Sequence, residues 1–212
     1  MHEALEFTLL TFSALFFVVD PFAAVPIFLA ITANETREER RRTALRAGLF
    51  TFATLTFFAL SGGILFTVLG ISIGAFRIAG GILIMTMALD MIRAHPSRVR
   101  STPEEQNESV AKEDVAVVPL AIPMLAGPGA IATVLVFMQR AHWQPVHTAI
   151  VLITIAVTAL LSWLVLRAAA SADRFLSRTG IQVLERVMGL LLTAVAVEFI
   201  VGGLREIWPQ LK

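Results

Sequence analysis

The sequence predicts an all-α membrane protein of six transmembrane helices, arranged as two inverted three-helix repeats with the first and fourth helices broken. Three observations predict it: an apolar share far above that of soluble domains, six stretches of spanning length, and Pro/Gly interruptions at matching places in the two halves. Of the 212 residues, 57% are apolar and 16% charged, against about 25% charged in an ordinary soluble domain. The mean hydropathy is +0.78. A soluble globule of this size keeps most of its residues in touch with water and could not hide so much apolar surface. Soluble enzymes, nucleic-acid binders and disordered chains are excluded on that ground. A net charge of +1 also offers no basic face to nucleic acid.

Helices of about 20 apolar residues cross a bilayer. The six candidates are Leu5–Ala33, Leu45–Leu69, Ile71–Ile92, Val115–Met138, Val146–Ala169 and Ile181–Leu204. The first carries Glu3 and Glu6 in place of basic residues and has prolines inside it, so it is expected to be a retained span and not a cleaved signal. Of the 17 Lys and Arg residues, Arg77, Arg140, Arg205 and Lys212 fall on one side and the other 13 on the opposite side. By the positive-inside rule the richer side is cytoplasmic and both termini lie outside. The cluster Arg37–Arg42 is expected to be a topology anchor. Residues 94–114 lack apolar periodicity and are rich in Pro, Ser and Glu, which makes them a cytoplasmic linker. The whole of 1–212 is then one transmembrane domain, with repeats at 1–93 and 115–212 on either side of that linker.

Sliding the chain against itself supports the repeat. A shift of 107 sets Asp20-Pro21 on Gly127-Pro128; a shift of 108 sets Gly81 on Gly189 and Asp90 on Glu198. Three spans per half is odd, so the second half enters the membrane from the opposite side. That arrangement recurs in secondary transporters, whose substrates sit near the midplane where helices are interrupted.

The interruptions carry the chemistry. In the first span, FFVVDPFAAVPIFLAIT places Asp20, Pro21 and Pro26 where one continuous helix is expected. Proline removes a backbone donor and costs about 3 kcal/mol in a helix interior. Asp followed by Pro is also a good helix start. One half-helix should therefore end near Val19 and another begin at Asp20. An ionised Asp near mid-bilayer costs about 2.5 to 3.5 kcal/mol on the insertion scale, so Asp20 is a candidate for substrate binding and ion coupling. A purely structural cap is the competing expectation.

In the fourth span, VVPLAIPMLAGPGAIATV has Pro119, Pro123 and Pro128 with Gly127 and Gly129. A helix should start at Gly127-Pro128 with glycine as the cap. Glycine supplies no side-chain acceptor, which leaves the amides of Gly129 and Ala130 for an anion. A carboxylate in one break and bare amides in the other suit an amino acid zwitterion. The competing expectation is a kink that merely allows tight packing. Pro21, Phe22 and Pro128 line the same two breaks, and Ser13, Thr32 and Thr133 could add hydroxyl contacts. Asp90 and Glu198 are candidates for a gate or proton relay, against the plainer view of solvated helix-end carboxylates. Arg77 and Arg186 are expected to snorkel, and Gly62-Gly63, Gly70/Gly74 and Gly80-Gly81 to mark close helix packing.

Other chemistries find little support. Cysteine is absent, which removes disulfides and thiolates. His2, His95, His142 and His147 show no metal-ligand spacing, so neither a metal nor another cofactor is expected. An intramembrane aspartyl protease would need Asp20 and Asp90 face to face, and neither sits in a Gly-x-Gly-Asp context. The chain is not expected to be an enzyme.

The motifs VDPFAAVPIFLAIT (Val19–Thr32) and PLAIPMLAGPGAIAT (Pro119–Thr133) resemble the MarC family, six-span proteins of the prokaryotic inner membrane. The resemblance runs over essentially the whole chain. It implies secondary transport of small neutral amino acids such as glycine and alanine, as in SnatA-type relatives, with proton coupling; sodium would suit the same carboxylate and free carbonyls. Asp20 and Pro21 match the first motif, and Gly127, Pro128 and Gly129 the second. The family commonly has glycine after Asp-Pro, where this chain has Phe22-Ala23; the bulk favours a small substrate. Lipid is the expected surround and a homo-oligomer is compatible with it. The rival function is a non-transporting membrane component of an efflux or stress-response system, of the multiple antibiotic resistance type.

Overall fold

A computed structural model describes residues 2–33, 35–93, 124–142, 144–171 and 178–208. Its helices are α1 (His2–Val19), α2 (Pro21–Ile31), α3 (Arg37–Leu69), α4 (Ile73–Ile92), α5 (Pro128–Arg140), α6 (Pro145–Ser171) and α7 (Arg178–Ile207). No strand occurs among the described residues. Among the described residues, five stretches are long and apolar enough to cross a membrane: Glu3–Ile31, Arg37–Gly62, Ile73–Ile92, Pro145–Ser171 and Arg186–Ile207. The expected fourth span is described from residue 124 onward. Its helix α5 has 13 residues and a length of about 20 Å, short of the roughly 30 Å of hydrocarbon. The expected linker at 94–114, together with Pro119 and Pro123, lies outside the described residues.

Large apolar side chains face outward all round the bundle, among them Phe57 at 63% exposed, Ile64 at 69% and Leu190 at 65%. Lipid is the solvent that accepts such a surface without penalty. The arginine cluster lies in the first turns of a helix. Thr36 and Glu39 form a reciprocal capping box: Glu39 Oε2 accepts from the Thr36 amide and hydroxyl at 2.7 Å each, and Thr36 Oγ1 accepts from the Glu39 amide at 3.3 Å. That box starts α3 at Arg37, ahead of the apolar run. The helix has 33 residues and measures about 50 Å, so its arginine-bearing first turns extend beyond the hydrocarbon.

Three pairs of helices run antiparallel across the two halves, α1 with α5, α3 with α6 and α4 with α7. Phe7 of α1 meets Phe137 of α5 at 5.9 Å between ring centroids, while Val18 reaches Gly129. Arg41 of α3 donates to Ser171 Oγ of α6 at 3.3 Å, while Gly48 lies against Ala159 and Trp163. Along α4 and α7, Gly74 lies against Gly203 and Ile207, Gly81 against Ala196 and Ile200, and Gly189 against Ala88 and Ile92.

The last two contacts exchange under a shift of 108: Gly81, Ala88 and Ile92 become Gly189, Ala196 and Ile200, all identical residues. A surface on which residue i meets j while the copy of j meets the copy of i is what a two-fold relation produces. The approach is close enough to exclude side chains. A β-carbon on Gly81 or on Gly189 would lie 2.9 Å from the opposing carbonyl oxygen, of Ala196 and Ala88 respectively. Without a hydrophobic drive between helices in lipid, such small-residue packing is the main source of cohesion.

Two expectations are corrected. Gly70 does not pack; nothing lies within 4 Å of a β-carbon placed there, and its φ of +63° makes it the left-handed turn residue between α3 and α4. Arg77 does not snorkel outward. It is 8% exposed, lies over Gly202, and pairs with Glu206 of α7 at 3.4 Å. Gly202 leaves the room that the guanidinium fills.

Alanine at Gly81 or Gly189 should therefore destabilise the bundle by about 1 to 3 kcal/mol, the usual range for overpacking. Thermal unfolding in detergent checks this, and unchanged midpoints for both variants would contradict the described α4–α7 contact.

Candidate functional site

The first span breaks where the sequence places the break. The Asp20 amide still donates to the Phe16 carbonyl at 3.0 Å, completing the last turn of α1. The chain then turns at Asp20 with φ 45° and ψ 73°, and Pro21 opens α2. Asp is one of the few non-glycine residues that tolerate this left-handed conformation. Its Oδ1 accepts from the Ala23 amide at 3.3 Å. Asp20 is 1% exposed, so its carboxylate lies inside protein and not against lipid. Pro26 stands inside α2, and it has no N–H to offer the Phe22 carbonyl one turn back. Phe22 itself is half-buried and meets Phe16 edge to face at 6.3 Å.

The second break has the opposite character. Met124 and Leu125 have π-helical backbone, and Gly127 is extended with φ −71° and ψ 174°. Pro128 opens α5, and no side chain caps the helix from Gly127. Gly127, Gly129 and Ala130 are buried and Pro128 is exposed. The breaks are neighbours: a β-carbon on Gly129 would lie 3.2 Å from Val18 Cγ1, 3.3 Å from Ile84 Cγ1 and 3.4 Å from Met87 Sδ. The last turn of α1 thus packs on the first turn of α5, with α4 behind. Gly129 serves close approach as well as an open amide, a role that needs the fold to be seen.

The other candidates separate by distance. Thr133 lies one turn into α5 and is fully buried; its hydroxyl donates to the Gly129 carbonyl at 2.9 Å, which leaves its oxygen free to accept near the second break. Thr32 is also buried, and donates to the Phe28 carbonyl at 2.7 Å. It lies beyond the far end of the 11-residue α2, about 18 Å along the axis from Asp20. One small molecule cannot touch both. Thr32 instead ends α2, its carbonyl accepting from Arg40 Nε at 2.9 Å. Ser13 donates to the Leu9 carbonyl at 2.7 Å.

Asp90 is half-buried two residues from the end of α4, and Glu198 is exposed on α7. Glu198 belongs with a charged group not foreseen as a unit: Arg77, Arg140, Glu198 and Glu206. Burial first, and the Arg77 guanidinium second, push the Arg140 pKa below its ordinary value, while Glu198 and Glu206 oppose the shift. An arginine inside a span was the available signal. Its partner Glu206 stands 129 positions away, so the pairing was not readable locally.

Comparison with known proteins agrees with the geometry in kind. The profile of the MarC family integral membrane proteins matches residues 5–208. The chain is 39% identical to UPF0056 membrane protein YhcE of Escherichia coli, over 94% of this chain and 93% of that one. It is 39% identical to UPF0056 membrane protein YvbG of Bacillus subtilis, over 97% and 98%. An archaeal relative, UPF0056 membrane protein MJ1677 of Methanocaldococcus jannaschii, is 37% identical over 95% and 97%. No solved structure matches the chain.

Asp20 combines a cap with a left-handed turn, so its substitutions should divide. Asp20→Asn keeps both abilities and should unfold near the parent temperature. Asp20→Ala loses the cap, at about 1 kcal/mol, and adds left-handed strain of about 1 to 2 kcal/mol. Thermal unfolding of the pair in detergent checks the order; equal midpoints would contradict it.

Proposed function

The chain belongs to the MarC family of integral membrane proteins, and from that premise we propose that it is a secondary transporter of small neutral amino acids, such as glycine or alanine, coupled to protons. It acts in the prokaryotic cytoplasmic membrane, with its arginine-rich ends inside and both termini outside. One observation carries the proposal: two interrupted helices adjoin, one opening on a buried carboxylate and the other on amides that its cap residue, Gly127, has no side chain to cap. The substrate ammonium faces Asp20 and the Phe22 carbonyl, whose helical donor Pro26 cannot supply. Its carboxylate faces the Gly129 and Ala130 amides at the positive end of the α5 dipole. Phe22 and the packing around Gly129 hold the space to a small side chain.

Coupling follows from charge. A proton on Asp20 removes the attraction that holds the ammonium, so proton entry and substrate release are linked. Both breaks are buried, and loading requires the halves to move apart. The antiparallel pairing of α3 with α6 and of α4 with α7, and the contacts that exchange under a shift of 108, support an inverted two-fold relation. In such folds one repeat rocks against the other around a central site.

Counterflow in liposomes tests the proposal. Preloaded alanine should drive uptake of labelled alanine, and a pH gradient should bias it. Asp20→Asn should lower the flux about tenfold or more, since a hydrogen bond to a charged group is worth about 1.5 to 3 kcal/mol, and should abolish the bias. No flux with any small amino acid would favour the non-transporting component; unchanged flux and bias in the variant would remove Asp20 from the mechanism.

A further inference from the structure

Between α3 and α6 the outer surface of the bundle carries a groove of about 270 Å³, walled by Leu45, Gly48, Leu49 and Phe52 on one side and by Ala156, Ala159, Leu160 and Trp163 on the other. Both walls belong to membrane-crossing stretches, so the groove opens to lipid. Gly48 and Ala159 make its floor, because the helices approach there to 3.4 Å between a Gly48 β-carbon position and the Ala159 carbonyl. From Leu45 to Phe52 is seven residues, about 10 Å of helix, which fits within the roughly 15 Å depth of one leaflet.

One end of the groove is cationic on both walls. Arg41 and Arg42 precede Leu45 by one turn on the same face of α3, and Arg167 follows Trp163 by one turn on α6. The helices are antiparallel, so these residues share one end. Arg41 reaches across to Ser171 Oγ at 3.3 Å, and the Arg167 guanidinium lies 5.1 Å above the Trp163 ring. Stacking uses the face of the guanidinium and leaves its edge N–H groups for a phosphate. Glu38 engages Arg42, which leaves Arg41 and Arg167 as the main cations.

We propose that this groove is a binding site for one acyl chain of an anionic phospholipid, its headgroup phosphate held between Arg41 and Arg167. Basic pockets between transmembrane helices recognise acidic headgroups in this way. A second copy of the chain is the other candidate occupant, and charge opposes it. Two copies inserted with the same orientation are related by an axis along the membrane normal. Meeting groove to groove, they would set arginine cluster against arginine cluster at the same depth.

Native mass spectrometry of the full chain, released from detergent with phosphatidylglycerol or phosphatidylcholine present, tests the assignment. Phosphatidylglycerol should be retained in preference. Arg41→Ala and Arg167→Ala should each reduce that preference about fivefold, the contribution expected of one arginine near a charged headgroup. Ala156→Phe and Leu49→Trp fill the groove from its lipid-exposed positions on opposite walls, leave the arginines in place, and should also lose the lipid. Equal retention of both lipids, or arginine variants that behave as the parent, would overturn the site. So would groove-filled variants that still hold phosphatidylglycerol, since binding would then be headgroup charge alone. A lipid-free dimer that Ala156→Phe dissociates would assign the groove to a second copy instead.

Discussion

A hydrocarbon interior offers a backbone no hydrogen bonds, so a helix can be interrupted there only where protein or a polar cavity takes up the freed groups. The chain accepts this constraint twice, at Asp20 and at Gly127, and the surrounding bundle is arranged to meet it. Asp20 answers part of the demand itself by capping α2 with its own carboxylate. Gly127 answers none of it with a side chain, and its break is shielded by burial against Val18, Ile84 and Met87. The pairing of a self-capped break with an uncapped one gives the two sides of the site unlike chemistry.

The rest of the fold holds those breaks together. The glycine seam between α4 and α7 brings backbones to carbonyl distance and fixes α4 behind the start of α5. Arg77 closes one end of that seam over Gly202 and against Glu206. The exchange of contacts at Gly81 and Gly189 ties the packing to the repeat that the sequence suggests.

Much of this was legible because its causes are local. Asp-Pro and Gly-Pro announce helix starts through capping and fixed φ, and both starts fall within a residue of expectation. Gly62, Gly74, Gly80 and Gly81 mark packing because they carry no β-carbon, whereas at Gly70 a turn needs the residue and no neighbour does. What escaped was non-local or overlooked. The burial of Arg77 depends on a glycine in the other half of the chain, and the tight role of Gly129 depends on three helices. The start of α3 was available in Thr36 and Glu39, a capping-box spacing beside the arginine cluster. Thr32 looked like a neighbour of Asp20 by motif, but helix rise carries it to the other end of α2.

The central claim is that the two breaks form one substrate site, and protection chemistry reaches it most directly. The chain has no cysteine, so Ala23→Cys and Ala130→Cys each introduce a single thiol, one beside each break. In membranes, alanine or glycine should slow reaction of both thiols with a small alkylating reagent, whereas ethylamine, which lacks the carboxylate, should not protect Ala130→Cys. Protection of neither thiol, or of one without the other by the full amino acid, would contradict a shared site.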